Sequence, residues 1–171
     1  MSKFIIDVEA DGPCPGLYSM VSFGVVRYDK HLNTTFYSGT IKPISEKWIP
    51  EALAVSKITR EQHESETSVT PEYAMRNFAH WLDFNDIKGR PMFFSDNNGF
   101  DWQFINYYFH AFYGSNPFGF SSQNIGSLYK GQVRNMRKNF KHLRKTKHTH
   151  HPVFDAMGNA EAMQAMGWFD V

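Results

Sequence analysis

The chain of 171 residues has one cysteine, Cys14, so no intrachain disulfide framework is available to it. No stretch approaches the roughly 18 apolar residues of a membrane span. Acids appear by residue 7, and no basic segment leads into a long apolar run, so no signal peptide is expected. A cytoplasmic protein without membrane attachment is the default expectation. Repeats, low-complexity tracts and composition breaks are also missing. Residues 1–171 are therefore read as a single domain around one core.

What is abundant is aromatic. Sixteen Phe, eight Tyr and four Trp exceed the usual needs of a core this size, so some are expected to line a cleft or a subunit interface. The net charge of +1 conceals an asymmetry. Residues 134–150 carry seven bases and no acid, which leaves 11 bases against 17 acids elsewhere. Such a strip suits a polyanion if it borders a site, and is otherwise a solvated face.

The element order is α/β. Strands are expected at about residues 3 to 9, Met20 to Tyr28 and Thr34 to Ile41, as an antiparallel 1-2-3 meander. Short helices are expected over Pro50 to Val55 and Thr59 to Glu64, and a clearer one from Pro71 to Phe84. Met92 to Phe94 reads as a short buried strand, Phe100 to Phe112 as a helix, 114–122 as a loop, and Ser122 to Tyr129 as a helix. A last helix opens at Pro152. The expected fold is a mixed central sheet with flanking helices.

Acids sit where apolar residues are expected. Phe4-Ile5-Ile6-Asp7-Val8-Glu9 is apolar on both faces, and the period of two puts Asp7 and Glu9 on the same one. Helical spacing aligns Asp101 with Ile105, Tyr108 and Phe112, and Asp155 with Ala162 and Met166. An ionised carboxylate in such surroundings costs several kcal/mol, roughly, unless something positive neutralises it. A pair of divalent metals would supply that charge. Oxygen-only ligands suit Mg²⁺ or Mn²⁺ rather than zinc. Singly, each acid also reads as a surface or helix-start carboxylate.

Taken in order, Asp7-Val8-Glu9-Ala10-Asp11-Gly12, then Asn97, Phe100 and Asp101, then His150 with Asp155 five residues on, resemble the three motifs of the DEDDh 3′-to-5′ exonucleases. Small single-domain RNases look closest. The resemblance implies a ribonuclease-H-like fold and two cations held by Asp7, Glu9, Asp101 and Asp155, with Asp7 bridging. It also implies His150 as general base. Free imidazole, titrating near about 6.5, can accept a proton at neutral pH. By the same resemblance the terminal nucleotide would meet Ala10, Asp11, Gly12 and Tyr18 on one side and Asn97 and Phe100 on the other, although Phe100 also reads as core. Lys141, Arg144 and Lys145 of the basic strip are expected to meet phosphates.

The implied partner is the 3′ end of a single strand, RNA by the small-RNase likeness and otherwise DNA, with a homodimer as assembly. Asp11 and Asp96 depart from the motifs, which often have threonine and histidine there. Two other readings fit the same residues: a dinucleotide or capped-nucleotide phosphodiesterase, and a nucleic-acid-binding scaffold without turnover.

Overall fold

The computed structural model describes residues 1–86 and 89–168. Among the described residues three strands are followed by three α-helices, and two further strands and three further α-helices complete the order. The strands are β1 (Lys3–Ala10), β2 (Met20–Tyr28), β3 (Thr35–Tyr37), β4 (Met92–Ser95) and β5 (Ser122–Asn124). The helices are α1 (Pro50–Val55), α2 (Arg60–Glu64), α3 (Pro71–Asn85), α4 (Asn98–Phe112), α5 (Ile125–Gln132) and α6 (Pro152–Ala165). A short 3-10 turn covers Lys141–Leu143. The sheet order is β3-β2-β1-β4-β5. The first three strands form the expected antiparallel meander, while β4 and β5 run parallel to β1.

Because β1 is central and covered on both sides, its sequence is apolar on both faces. Phe4, Ile6, Val8 and Ala10 face α3 and α4, and Ile5 faces α6. Phe4, Ile5 and Ile6 are fully buried, each contributing about 1.5–3 kcal/mol. Thr70 caps α3 by accepting from the Tyr73 N–H, and Pro71 occupies its first turn. The stripe Ala74, Met75, Phe78, Ala79 and Leu82 then closes on the sheet.

Most of the aromatic excess is spent in that layer. Phe4, Phe23, Phe78, Phe93, Phe104, Tyr108, Phe109 and Phe118 are all buried at its centre, so the surface surplus is smaller than composition alone suggested. Phe84 and Phe120 are fully solvent-facing.

Two elements differ from expectation. The regular β3 ladder ends at Tyr37, where Gly39 takes φ +74; Ser38 and Ile41 still donate to the Phe23 and Val21 carbonyls of β2, and Ile41 also bridges Val69. Ser122 to Asn124 form an edge strand on β4 instead of a first helical turn. Asn124 then accepts from the Ser127 N–H, which fixes the start of α5 at Ile125. Among the described residues no helix is long and apolar enough to cross a membrane.

Candidate active site

Three parallel strands deliver their carboxyl ends to one side of the sheet, and there a cleft opens. Pairing between β1 and β4 runs from Lys3↔Met92 to Ile5↔Phe94, while β1 continues to Ala10. Past that point the Val8 N–H donates to Asp101 Oδ1 at 3.1 Å. The cleft holds about 560 Å³, and its lining includes Asp7, Glu9, Asp96, Asp101, His148 and His150.

Asp7 and Glu9 share the face of β1 that α6 covers, so Asp155 at the start of α6 meets them from above. The approach is close because of Gly24, the β2 partner of Asp7. A Cβ at Gly24 would lie 2.3 Å from the Val153 nitrogen and 2.4 Å from the Pro152 carbonyl carbon. Gly158 does the same further along, where a Cβ would meet the Thr146 carbonyl oxygen at 2.9 Å. Ala156, Ala160 and Ala162 of α6 itself are fully buried, packed with Ile5 and Val26 of the sheet. Oxygen atoms of Asp7, Glu9 and Asp155 thereby come within 4.8 Å of one another.

The segment before α6 wraps around Asp155. Thr149 N–H donates to Oδ1 and His150 N–H to Oδ2, both at 2.9 Å, with His150 in the left-handed region at φ +58. His148 Nδ1 also lies 2.9 Å from Oδ2. His150 Nδ1 stands 3.9 Å from Glu9 Oε1. The His151 ring turns the other way, against Tyr37 and Phe154.

So much carboxylate in one place is electrostatically costly. Burial, then repulsion from Asp155, pushes Glu9 up to about 8, with Lys57 opposing. Asp7 is raised well above the ordinary carboxylate range by burial, then by Asp101, Glu9, Asp96 and Asp155. Asp101 is raised by burial and by Asp96, and its Oδ2 is buried without a hydrogen-bond partner. An oxygen donor set with surplus negative charge and one orphaned carboxylate oxygen fits a hard divalent cation such as Mg²⁺ or Mn²⁺.

No family model matches the chain. The 3′-5′ DNA exonuclease Cap18 of Escherichia coli is 39% identical over 130 residues, which cover 74% of this chain and 66% of the relative. The chain thus spans just under two thirds of that relative's length. The nuclease domain of 3′hExo, a DEDDh family member bound to rAMP, matches with a TM-score of 0.76 at 17% identity, covering 96% of this chain and 90% of its own. In its motifs and its fold the chain is similar to the DEDDh 3′-to-5′ exonucleases. Escherichia coli exonuclease I in complex with a 5cy-dA13 oligonucleotide shares the ribonuclease-H-like fold as well, with a TM-score of 0.71 at 16% identity over 96% of this chain and 40% of its own.

The two departures from DEDDh motifs are both internal ion pairs. Asp11 is fully buried, accepts from the Ser19 N–H, and pairs with Arg60 at 3.2 Å. It is therefore turned into the fold, away from both solvent and the cleft. Asp96 pairs with Arg144 at 2.7 Å, and both bond to Asn159, which is fully buried. This corrects the expectation for Arg144: its guanidinium braces β4 against α6 instead of presenting a free cation.

Lys141 lines the cleft and Lys145 is exposed beside Glu161, whose carboxylate accepts from the Lys145 N–H. Asn97 and Phe100 line the cleft. Ala10, Gly12 and Tyr18 lie outside that lining, and the Tyr18 ring lies flush on Gly12, where a Cβ would meet it at 2.2 Å.

Sequence reasoning did not find Gly24, Lys130 or Asn139, and it set His148 aside as general base in favour of His150. His148 carried a signal, since it stands two residues before His150. Gly24 carried only its place inside a strand, where a glycine marks close backbone approach.

Proposed function

We propose that this protein is a metal-dependent 3′-to-5′ exonuclease that hydrolyses single-stranded nucleic acid to nucleoside 5′-monophosphates. In this reading Asp7, Glu9, Asp101 and Asp155 hold two divalent cations, Mg²⁺ or Mn²⁺. The convergence of Asp7, Glu9 and Asp155 oxygens from β1 and α6 within 4.8 Å carries it. When bound, such a pair activates water and stabilises charge on the phosphoryl and leaving oxygens.

His150 takes a proton from the attacking water at a ring nitrogen, and its backbone is held by Asp155. The terminal nucleotide rests against Asn97 and Phe100, which line the cleft. DNA is favoured over the RNA expected from the small-RNase likeness, because the 39% identical relative is a DNA exonuclease. A homodimer and a cytoplasmic setting complete the reading, the exposed Phe84 and Phe120 supporting a covered surface.

End-labelled DNA and RNA oligomers, with either a free 3′ hydroxyl or a 3′ phosphate, test this directly. Shortening from the free 3′ end is expected with Mg²⁺ or Mn²⁺. It should cease in excess chelator and in Asp7→Asn, which loses a charge without changing shape. Full activity under either condition overturns the metal reading. Equal decay of blocked strands overturns 3′-end recognition, and faster decay of RNA overturns the DNA preference.

A further inference from the structure

The cleft has a second wall with the opposite chemistry to the acid cluster. It is built by α5 and the segment leading into the 3-10 turn, and its lining includes Gly126, Ser127, Lys130, Asn139 and Lys141. Gly126, Ser127 and Lys130 fall on one face of α5 by their three- and four-residue spacing. Gly126 presents no side chain there, and the place a Cβ would take is flanked by Asn124 Oδ1 at 3.2 Å and the Phe140 ring at 3.8 Å. Asn139 Oδ1 is taken by the Lys141 N–H, which orients its amide NH₂ as a donor.

Neither Lys130 nor Lys141 has a carboxylate within ion-pairing distance among the described residues. This contrasts with Arg60 and Arg144, which are paired with Asp11 and Asp96. Two ammonium groups without a carboxylate partner thus line the cleft that also holds the acid cluster. They are therefore free for a ligand anion.

The chemistry of the strand identifies that anion. A strand with a free 3′ hydroxyl carries one phosphate at the bond to be cut, and all its others lie on the 5′ side. The scissile phosphate is accounted for by Asp7, Glu9, Asp101 and Asp155 with their cations. We infer that Lys130 and Lys141, with Ser127 and Asn139, form a subsite for the backbone phosphate immediately 5′ of the scissile one. The inference rests on the proposed exonuclease reading and deepens it. The ligand class becomes polynucleotide, and a dinucleotide without a 5′ phosphate leaves the subsite empty.

A competition experiment isolates that single phosphate. A labelled single-stranded octanucleotide is displaced by a dinucleotide with or without a 5′ phosphate, with Ca²⁺ in place of Mg²⁺ to slow turnover. The intact protein should bind the 5′-phosphorylated dinucleotide about tenfold more tightly, as expected of charge-assisted contacts. In the Lys130→Ala/Lys141→Ala double variant that preference should fall below twofold. The salt slope of octanucleotide binding should become shallower by about 0.7 for the lost phosphate contact on a single strand.

Lys130→Arg/Lys141→Arg should keep the preference, which separates charge from any packing effect. No preference in the intact protein, or an undiminished one in the double alanine variant, overturns the subsite. Binding is read without hydrolysis, so a protein that selects the 5′ phosphate but never shortens a strand would refute the exonuclease reading and leave the subsite standing.

Discussion

Replacing Glu9 with Gln should make the metal-free protein more stable while impairing the site. In the unfolded chain the Glu9 carboxyl ionises near 4.5, whereas in the fold burial and Asp155 push it up to about 8. Between these values the folded state holds a proton that the unfolded state has released. Stability is thus fully present below about 4.5 and falls as pH rises to about 8. At roughly 1.4 kcal/mol per pKa unit the displacement amounts to about 5 kcal/mol. Discounting for a side chain that keeps some solvent contact leaves about 2–4 kcal/mol.

Gln keeps the shape and never ionises, so it should recover that amount at pH 8.5 in chelator and almost nothing at pH 4.5. For a chain of this size the recovery corresponds to about 5–15 °C in Tm. Calorimetry at the two pH values, with and without Mg²⁺, gives the readout. The metal should narrow the gap, since a cation at 100 times its Kd adds about 2.7 kcal/mol to the wild type. An equal or lower Tm for Glu9→Gln at pH 8.5 in chelator would refute the electrostatic argument. So would an advantage that persists undiminished at pH 4.5.

Three further outcomes follow from the geometry. His150→Ala should lower turnover by about 10²–10⁴-fold with cation binding retained, and His151→Ala should cost far less because its ring packs on Tyr37 and Phe154; steady-state rates decide the ranking. Gly24→Ala forces a Cβ against the α6 backbone, so the added methyl should displace Asp155 and lower cation affinity measured by calorimetric titration, with a stability loss of about 1–3 kcal/mol. Arg60→Ala leaves the buried Asp11 carboxylate without its cation and should lower unfolding free energy in urea by about 2–3 kcal/mol.

Much of the site was legible because its acids break the local pattern. Asp7 and Glu9 interrupt an apolar strand and Asp101 an apolar helix face, so each is visible against its neighbours. The elements around them followed from period and punctuation, as with Pro71 and Thr70 opening α3. What stayed hidden depends on partners distant in sequence. Nothing near Arg144 reveals that its anion is Asp96, 48 residues earlier, so a run of bases read as uniformly exposed when one member is a buried brace. Asp11 shows the same failure, because Arg60 and Ser19 meet it only after the chain has folded. The Ser122–Asn124 strand was missed because its pairing is supplied by β4 and not by its own composition.

The division of β1 into two faces explains how the fold tolerates this charge. Phe4, Ile6 and Val8 on one side enter the aromatic core under α3 and α4, with the α4 acid Asp101 held at the strand by the Val8 N–H. Ile5 on the other side packs under α6, and Asp7 and Glu9 continue that face toward Asp155. A one-residue slip of β1 would drive both carboxylates into the aromatic layer, so the register Asp7↔Gly24 is selected by charge as well as by packing. The same pairing puts the glycine that admits α6 directly beside the acid that α6 must reach. Close approach of α6 and burial of the acids are therefore one structural decision, made where β2 lacks a side chain. Any change that loosens α6 should relieve the repulsion and dismantle the donor set together. Stability of the metal-free chain and affinity for the cation are thereby set against each other at this strand pair.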